Sequence, residues 1–276
     1  VSTKKVLIIA HLFPPYGGVG VMRALGFVKY LRDFDWEPIV LAAHTEKVGP
    51  KDPGLLNELP KDIKIYRQQY IESIWLRRFF KMLRLDNLGT WLENFLFIPD
   101  PQILWLPRAY IKALKIIKEE NIDLIFSTSA PYSSHLLAKK LKAKTGLPWV
   151  ADFRDPWSKN PYAKWITPLH KKTNCYLEQT VLKTANIITA TSPYTTTELK
   201  SLWKSNNLKK FKLITNGFDA SSIYHSKQGH KTSKFTIKYL GSIFASRPPV
   251  FLFQSISELL AEKKIQEEKL LLEFIG

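Results

Sequence analysis

Between residues 152 and 157 the chain reads Asp-Phe-Arg-Asp-Pro-Trp. Two carboxylates, Asp152 and Asp155, flank the guanidinium of Arg154. A carboxylate can act as a general base toward a hydroxyl. An arginine can hold a carboxylate or a phosphate bidentately. Trp157 adds a flat apolar face on which a sugar-like ring could stack. The same residues would equally make a structural Asp–Arg–Asp ion network, and residue types alone leave both readings open.

A second cluster runs from His11 to Gly20 (HLFPPYGGVG) and leads into a helical pattern. Glycines here allow a tight turn and close approach of backbone to a ligand. The N-terminus of the helix that follows offers free N–H groups to an anion. The spacing is not the dinucleotide fingerprint: with Gly18 and Gly20 as its first two glycines, the third would fall at Arg23. No Gly-Lys-Ser/Thr follows, so it is not a P-loop either.

A third cluster, Ser127 to His135 (STSAPYSSH), offers small hydroxyls for a ligand. Capping of a helix by Ser133 or Ser134 is the commoner use of such residues. His135 would then sit in the first helical turn as a structural or surface residue. Further on, Gly241 opens a turn, and Arg247 lies just ahead of a helix begun by Pro249, where it could meet a diphosphate. The segment Ser73 to Leu85 (SIWLRRFFKMLRL) places Trp75, Leu76, Phe79, Phe80, Met82 and Leu83 on one side of a helix. Arg77, Arg78, Lys81 and Arg84 fall on the other. That is the pattern of an interfacial membrane element, with an ordinary core-facing helix as its rival.

These residues need a scaffold. Short β-branched runs at 5–10, 38–43, 63–66, 122–128, 149–153, 187–191 and 211–215 read as strands. Helical spacing separates most of them, at 20–32, 108–120, 134–145, 169–184 and 195–203. Strand and helix in alternation predict a doubly wound parallel sheet with ligands beyond the carboxyl ends of its strands. Each cluster above follows a strand. A polar stretch at 226–233 reads as a linker, and a new strand–helix–strand unit follows at 235–240, 249–263 and 269–275. The expectation is therefore an α/β chain: a Rossmann-like domain over 1–225, a linker over 226–233, and an incomplete second Rossmann-like domain over 234–276. One such unit cannot bury both its faces, so the second domain is expected to be a truncated start.

Lysine and arginine exceed acidic residues by 17. Such a surplus favours phosphorylated ligands, anionic lipid or nucleic acid, or is simply a solvated lysine surface. With no aromatic RNA-binding motif and no zinc-finger spacing, nucleic acid is not an expected partner. The single Cys175 excludes a disulfide framework within the chain. No apolar run reaches the length of a membrane span, and the expected location is cytoplasmic, peripheral to the inner face of the cell membrane if Ser73–Leu85 is interfacial.

Five segments in order resemble the GT4-type retaining glycosyltransferases of the GT-B fold. They are FPPYGGVG (Phe13 to Gly20), Pro99-Asp100 with Trp105, ADFRDPW (Ala151 to Trp157), ITNGFD (Ile214 to Asp219) and YLGSIFASRPP (Tyr239 to Pro249). The resemblance implies two Rossmann-like domains, the first for the acceptor and the second for a nucleotide-sugar donor. It implies sugar transfer with retention, onto a glycan or lipid-linked acceptor for cell-surface polysaccharide, without metal or cofactor. Gly17 and Gly18 would approach the donor sugar and its diphosphate, with Arg247 and Gly241 on the diphosphate. Asp152 and Asp155 become the catalytic candidates, although many relatives place a histidine in this region. Tyr16, Ser129, His135, Arg154 and Trp157 are the acceptor-site candidates. Trp75, Arg77, Arg78, Phe79, Lys81 and Arg84 are the membrane-contact candidates. Relatives carry an E-x7-E motif that would lie beyond Gly276, so the chain alone is expected to be inactive. A GT-B-fold nucleotide-sugar epimerase and a non-catalytic binding domain are the alternatives.

Overall fold

The structure is a computed structural model. It describes residues 3–44, 51–161, 163, 165–203, 207–218, 233–241, 243 and 248–275. The chain divides into two compact units, Val1–Asp219 and Ala220–Gly276. The linker expected at 226–233 lies, apart from Ser233, outside the described residues.

In the first unit seven strands form one sheet: β1 (Lys4–Ile9), β2 (Trp36–His44), β3 (Lys64–Gln69), β4 (Leu124–Ser129), β5 (Trp149–Phe153), β6 (Ile187–Ala190) and β7 (Phe211–Leu213). Their order is β3-β2-β1-β4-β5-β6-β7, and every pairing is parallel. This is the doubly wound topology. The order reverses between β1 and β4, the place where such sheets bind ligands at the strands' carboxyl ends.

The strands are buried on both faces, which is why they read as unbroken apolar runs. In β1, Val6 and Ile8 pack with Ala24 and Val28 of α1 (Val19–Tyr30). Leu7 and Ile9 face the other way, toward Ala109 and Ala113 of α4 (Leu106–Glu120) and Leu137 of α5 (Ser133–Thr145). The helices α6 (Pro168–Thr184) and α7 (Pro193–Ser201) complete the layers. Both begin at proline behind a capping hydroxyl. Thr167 accepts from the His170 N–H and Ser192 from the Thr195 N–H. Ser192 and Pro193 start α7 two residues earlier than its apolar spacing predicts.

Between β3 and α4 lies a helical pair, α2 (Ile74–Met82) and α3 (Asp86–Leu96). The apolar run over α3 carried no clear period, and that helix was not predicted. Gly89 lets the two helices close up, since a Cβ there would meet the Phe80 Cβ at 2.8 Å. The second unit contains β8 (Phe235–Leu240) and β9 (Leu270–Ile275), paired in parallel, and α8 (Val250–Ala261). Its described helix has no buried residue. No helix among the described residues is long and apolar enough to cross a membrane.

Candidate active site

Register builds the centre of the site. Thr128 of β4 stands beside Asp152 of β5, which stands beside Thr189 of β6. All three therefore project from the same face of the sheet. Asp152 has no exposed side-chain surface. A buried carboxylate must be paired and hydrogen-bonded, and this one is. Thr128 Oγ1 donates to Oδ2 at 2.9 Å and Thr189 Oγ1 to Oδ1 at 2.5 Å. Arg23 of α1 donates through Nε at 2.9 Å and Nη2 at 2.7 Å. Arg23 also reaches the Thr215 carbonyl at 3.2 Å and Asn216 Oδ1 at 3.1 Å. One guanidinium thus joins α1, the middle of the sheet and the segment after β7.

The ion network weighed from the sequence is corrected in its partners. Asp152 is neutralised by Arg23, and Arg154 bonds to backbone instead. Its three nitrogens donate to the carbonyls of Ser129, Gly20 and Ala130. Burial lowers the Arg154 pKa, with Asp155 and Asp152 opposing that shift. Gly20 is the glycine that makes this possible, since a Cβ there would lie 2.9 Å from Arg154 Nη1. On the other side, Arg67 donates to the Pro14 carbonyl. The glycine loop is therefore held at both ends by arginines. Between them, Gly18 has φ 91° and ψ 162°, with nothing within 4 Å of where a Cβ would stand. Only glycine adopts that conformation readily. Gly17 is half-buried, and Gly18 is exposed at the start of α1.

The other sequence-predicted residues divide by exposure. Asp155 is exposed at the carboxyl end of β5, beside Arg154. Tyr16, Ser129, His135 and Trp157 are all buried. The exposed ring face expected of Trp157 is not there. Tyr132 stacks on it at 4.6 Å, and its Nε1 donates to Asn174 Oδ1 at 2.9 Å. His135 belongs to a buried chain. Trp149 Nε1 donates to Ser127 Oγ at 2.8 Å, and the same hydroxyl is hydrogen-bonded to His135 Nδ1, also at 2.8 Å. The other ring nitrogen, Nε2, has no hydrogen-bond partner among the described residues. Burial holds the His135 pKa down to about 3.

Helix capping is corrected as well. The α5 N-terminus is capped by Asp100, whose carboxylate accepts from the N–H groups of Tyr132 at 2.7 Å and Ser133 at 3.1 Å and from Ser133 Oγ at 2.5 Å. Burial raises the Asp100 pKa and these donors oppose the rise. Reading the sequence also passed over Arg23 and His11. Arg23 stands where a dinucleotide fingerprint would carry its third glycine, and that substitution was the available signal. His11 lies buried between Tyr70 and Trp105, with neither ring nitrogen hydrogen-bonded among the described residues. Burial lowers its pKa to about 4.

Gly241 in the second unit is exposed with φ 138°, and Arg247 lies outside the described residues. An apolar groove of ≈ 630 Å³ runs between α1 and residues 214–218. Neither Asp152 nor Asp155 lines it.

Comparison with known proteins decides the family. The sequence model of Glycosyltransferase Family 4 matches residues 16–222, well over half of the chain. The chain belongs to Glycosyltransferase Family 4. No curated protein sequence matches this family 4 glycosyltransferase. Among solved structures it resembles sucrose-phosphate synthase from Thermosynechococcus elongatus, with TM-score 0.58 and 12% identity over 99% of this chain and 71% of that one. It also resembles Anabaena HepE in complex with UDP and glucose, with TM-score 0.51 and 12% identity over 99% and 70%. A third is the lipopolysaccharide outer core galactosyltransferase WaaB, with TM-score 0.50 and 11% identity over 99% and 68%. These likenesses establish the fold as the GT-B type, built from Rossmann-like sheets.

The α2–α3 pair of this glycosyltransferase is not core-facing. Leu76 alone of the apolar residues of α2 is buried, and Phe80 packs on Gly89. Trp75 is 55% exposed, Phe79 50% and Met82 74%. On α3, Trp91 stacks on Phe95 at 4.9 Å, and both remain exposed. Arg77, Arg78, Lys81 and Arg84 are all exposed around them.

Proposed function

We propose that this family 4 enzyme moves a hexosyl group from a nucleotide-sugar to a lipid-linked acceptor, with retention at the anomeric carbon, in cell-surface polysaccharide synthesis. The observation that carries the acceptor class is the α2–α3 surface. Its aromatic and aliphatic side chains are exposed together, and four cations stand among them. Apolar insertion and attraction to anionic headgroups act together in such an element. The reading places the protein on the inner face of the cell membrane, peripherally. HepE, which shares the fold, is complexed with UDP and glucose, and this supports a nucleotide-sugar donor.

In this reading the Gly17–Gly18 turn brings main-chain N–H groups and the α1 N-terminus to the donor diphosphate. Arg247, outside the described residues, stays a diphosphate-binding candidate by family resemblance, and no metal or cofactor is called for. Asp155, the exposed carboxylate, receives the acceptor hydroxyl's proton. Asp152 holds the framework.

The test is transfer of labelled hexose from UDP-hexose to a membrane lipid extract. Label in lipid, with an unchanged anomeric configuration by proton NMR, is the expected result. No label in lipid overturns the lipid-linked acceptor. An inverted product overturns retention. Conversion of the nucleotide-sugar to its epimer, with the nucleotide still attached and no acceptor present, makes the protein an epimerase.

A further inference from the structure

A second cleft, of ≈ 390 Å³, opens at the carboxyl ends of β2 and β3. Its size is that of a small-molecule site. His44, Gln69, Glu72, Trp75, Arg78 and Arg108 are among its lining residues. The arginines come from different helices, Arg78 from α2 and Arg108 from the first turn of α4.

Three observations mark the cleft as a site. The first is unmet charge. Arg23, Arg32, Arg67 and Arg154 all bond to carboxylates or carbonyls within the protein. Arg78 and Arg108 have no hydrogen-bond or carboxylate partner among the described residues. Glu72 shares the cleft without pairing to either arginine, and its Oε2 is buried with no partner there. The second is the placement of Arg108. A cation in the first turn of a helix opposes the macrodipole, and α4 has no acidic residue in that turn to offset it. Local stability does not account for an arginine here. The third is continuity: Trp75 lines the cleft and also belongs to the exposed aromatic surface of α2. The cleft opens where the proposed membrane surface begins.

Two guanidinium forks on one cavity match a phosphate. A neighbouring carboxylate and the Gln69 amide match hydroxyls. We propose that this cleft is an anchoring subsite for the acceptor, which holds the phosphate of a sugar phosphate between Arg78 and Arg108 while Glu72 accepts one of its hydroxyls. The assignment rests on the transferase reading above for the word acceptor. The phosphate chemistry stands on the cleft alone. The sugar phosphate has two sources, a lipid-linked ester at the bilayer or a free ester in solution.

The experiment uses the 276-residue chain. Hexose 1-phosphate and plain hexose are titrated against tryptophan fluorescence. Cosedimentation is measured with phosphatidylcholine vesicles, with and without polyprenyl-phosphate-linked hexose. Circular dichroism and melting temperature confirm that each variant is folded. Hexose 1-phosphate should bind and plain hexose should not. Arg78→Gln and Arg108→Gln should each weaken binding by about tenfold or more, as loss of a charged hydrogen bond requires. Lys118→Gln, in the last turn of α4 and outside the cleft, should leave it unchanged. Equal binding by all three variants overturns the subsite even if the vesicles still sediment the protein. Failure of both phosphorylated probes to bind overturns it too. Arginine-dependent binding to the polyprenyl-linked vesicles supports the subsite and identifies the lipid source. Arginine-dependent binding of the soluble ester alone supports the subsite and overturns the lipid-linked part of the proposed function.

Discussion

Replacing Arg23 by methionine would leave the carboxylate of Asp152 inside the protein with two hydroxyl donors and no bonded counter-charge. Among the described residues no ion pair is drier, with side chains 6% and 0% exposed. Breaking a buried ion pair from one side costs about 3–5 kcal/mol. That is a large share of the roughly 5–15 kcal/mol that holds a domain together. Thr189→Val removes only one charged hydrogen bond and should cost about 1.5–3 kcal/mol. In Arg23→Met/Asp152→Asn both charges are gone. The double variant should be more stable than the sum of the singles predicts, by up to about 3 kcal/mol. Guanidinium melts followed by the fluorescence of the eight tryptophans provide the assay. A loss below about 1 kcal/mol for Arg23→Met, or strict additivity in the cycle, would refute the argument.

The same series separates framework from chemistry at Asp152. If Asp152 is the base, Asp152→Asn should abolish turnover of the active enzyme even under conditions where it remains folded. Thr189→Val should then leave turnover almost intact. If Asp152 positions the glycine loop through Arg23, the Arg23, Asp152 and Thr189 variants should lose activity in the order in which they lose stability. Asp155→Asn should abolish turnover with little change in the melt, because its carboxylate is exposed.

Three further outcomes are expected. Gly18→Ala meets no atom but must adopt φ 91° and ψ 162°; it should cost about 1–3 kcal/mol from backbone strain alone, read as a lowered melting temperature. Gly89→Ala drives a methyl into Phe80, and by overpacking the α2–α3 contact it should destabilise by about 1–3 kcal/mol and weaken sedimentation with anionic vesicles. The third is pH dependence. The unfolded chain protonates histidine near pH 6.5, whereas folded His11 and His135 protonate only near 4 and 3. The unfolded state therefore holds more protons between these values, and stability falls as pH drops from 6.5, by about 1.4 kcal/mol per pH unit for each histidine. Asp100 and Glu178, both raised by burial, act with the opposite sign. The readout is accordingly a difference: His135→Leu should flatten the slope between about pH 6 and about pH 4 by about 1.4 kcal/mol per unit.

The sheet was legible because its strands are buried on both faces, and continuous β-branched runs such as Val6–Ile9 have no other economical placement. Helix boundaries were legible where proline and a hydroxyl mark them, as at Thr167–Pro168, and not where the cap comes from elsewhere. Asp100 caps α5 from 32 and 33 positions away in sequence, and no local pattern records that. The candidate site was legible as a set of segments but not as a set of pairs. Asp152 and Arg154 look like partners because they are two residues apart. On a strand that spacing puts two side chains on one face, but Arg154 lies beyond the end of β5 and turns to the loop carbonyls. The true partner of Asp152 is 129 positions upstream.

That pairing explains why the segment combines two acids of such different surroundings. A sheet whose strand ends carry a ligand site needs charge to fix its loops, and it needs charge left over to meet the ligand. Asp152, Arg23, Arg154 and Asp100 direct their hydrogen bonds to protein groups, and so orient the Gly17–Gly18 turn and the start of α5. Asp155, Arg78 and Arg108 stand at the surface of the same carboxyl edge. Residue type alone could not sort these two sets, because aspartate and arginine occur in both. Burial sorts them: the enclosed charges make the frame, and the exposed ones are where substrate chemistry should be sought.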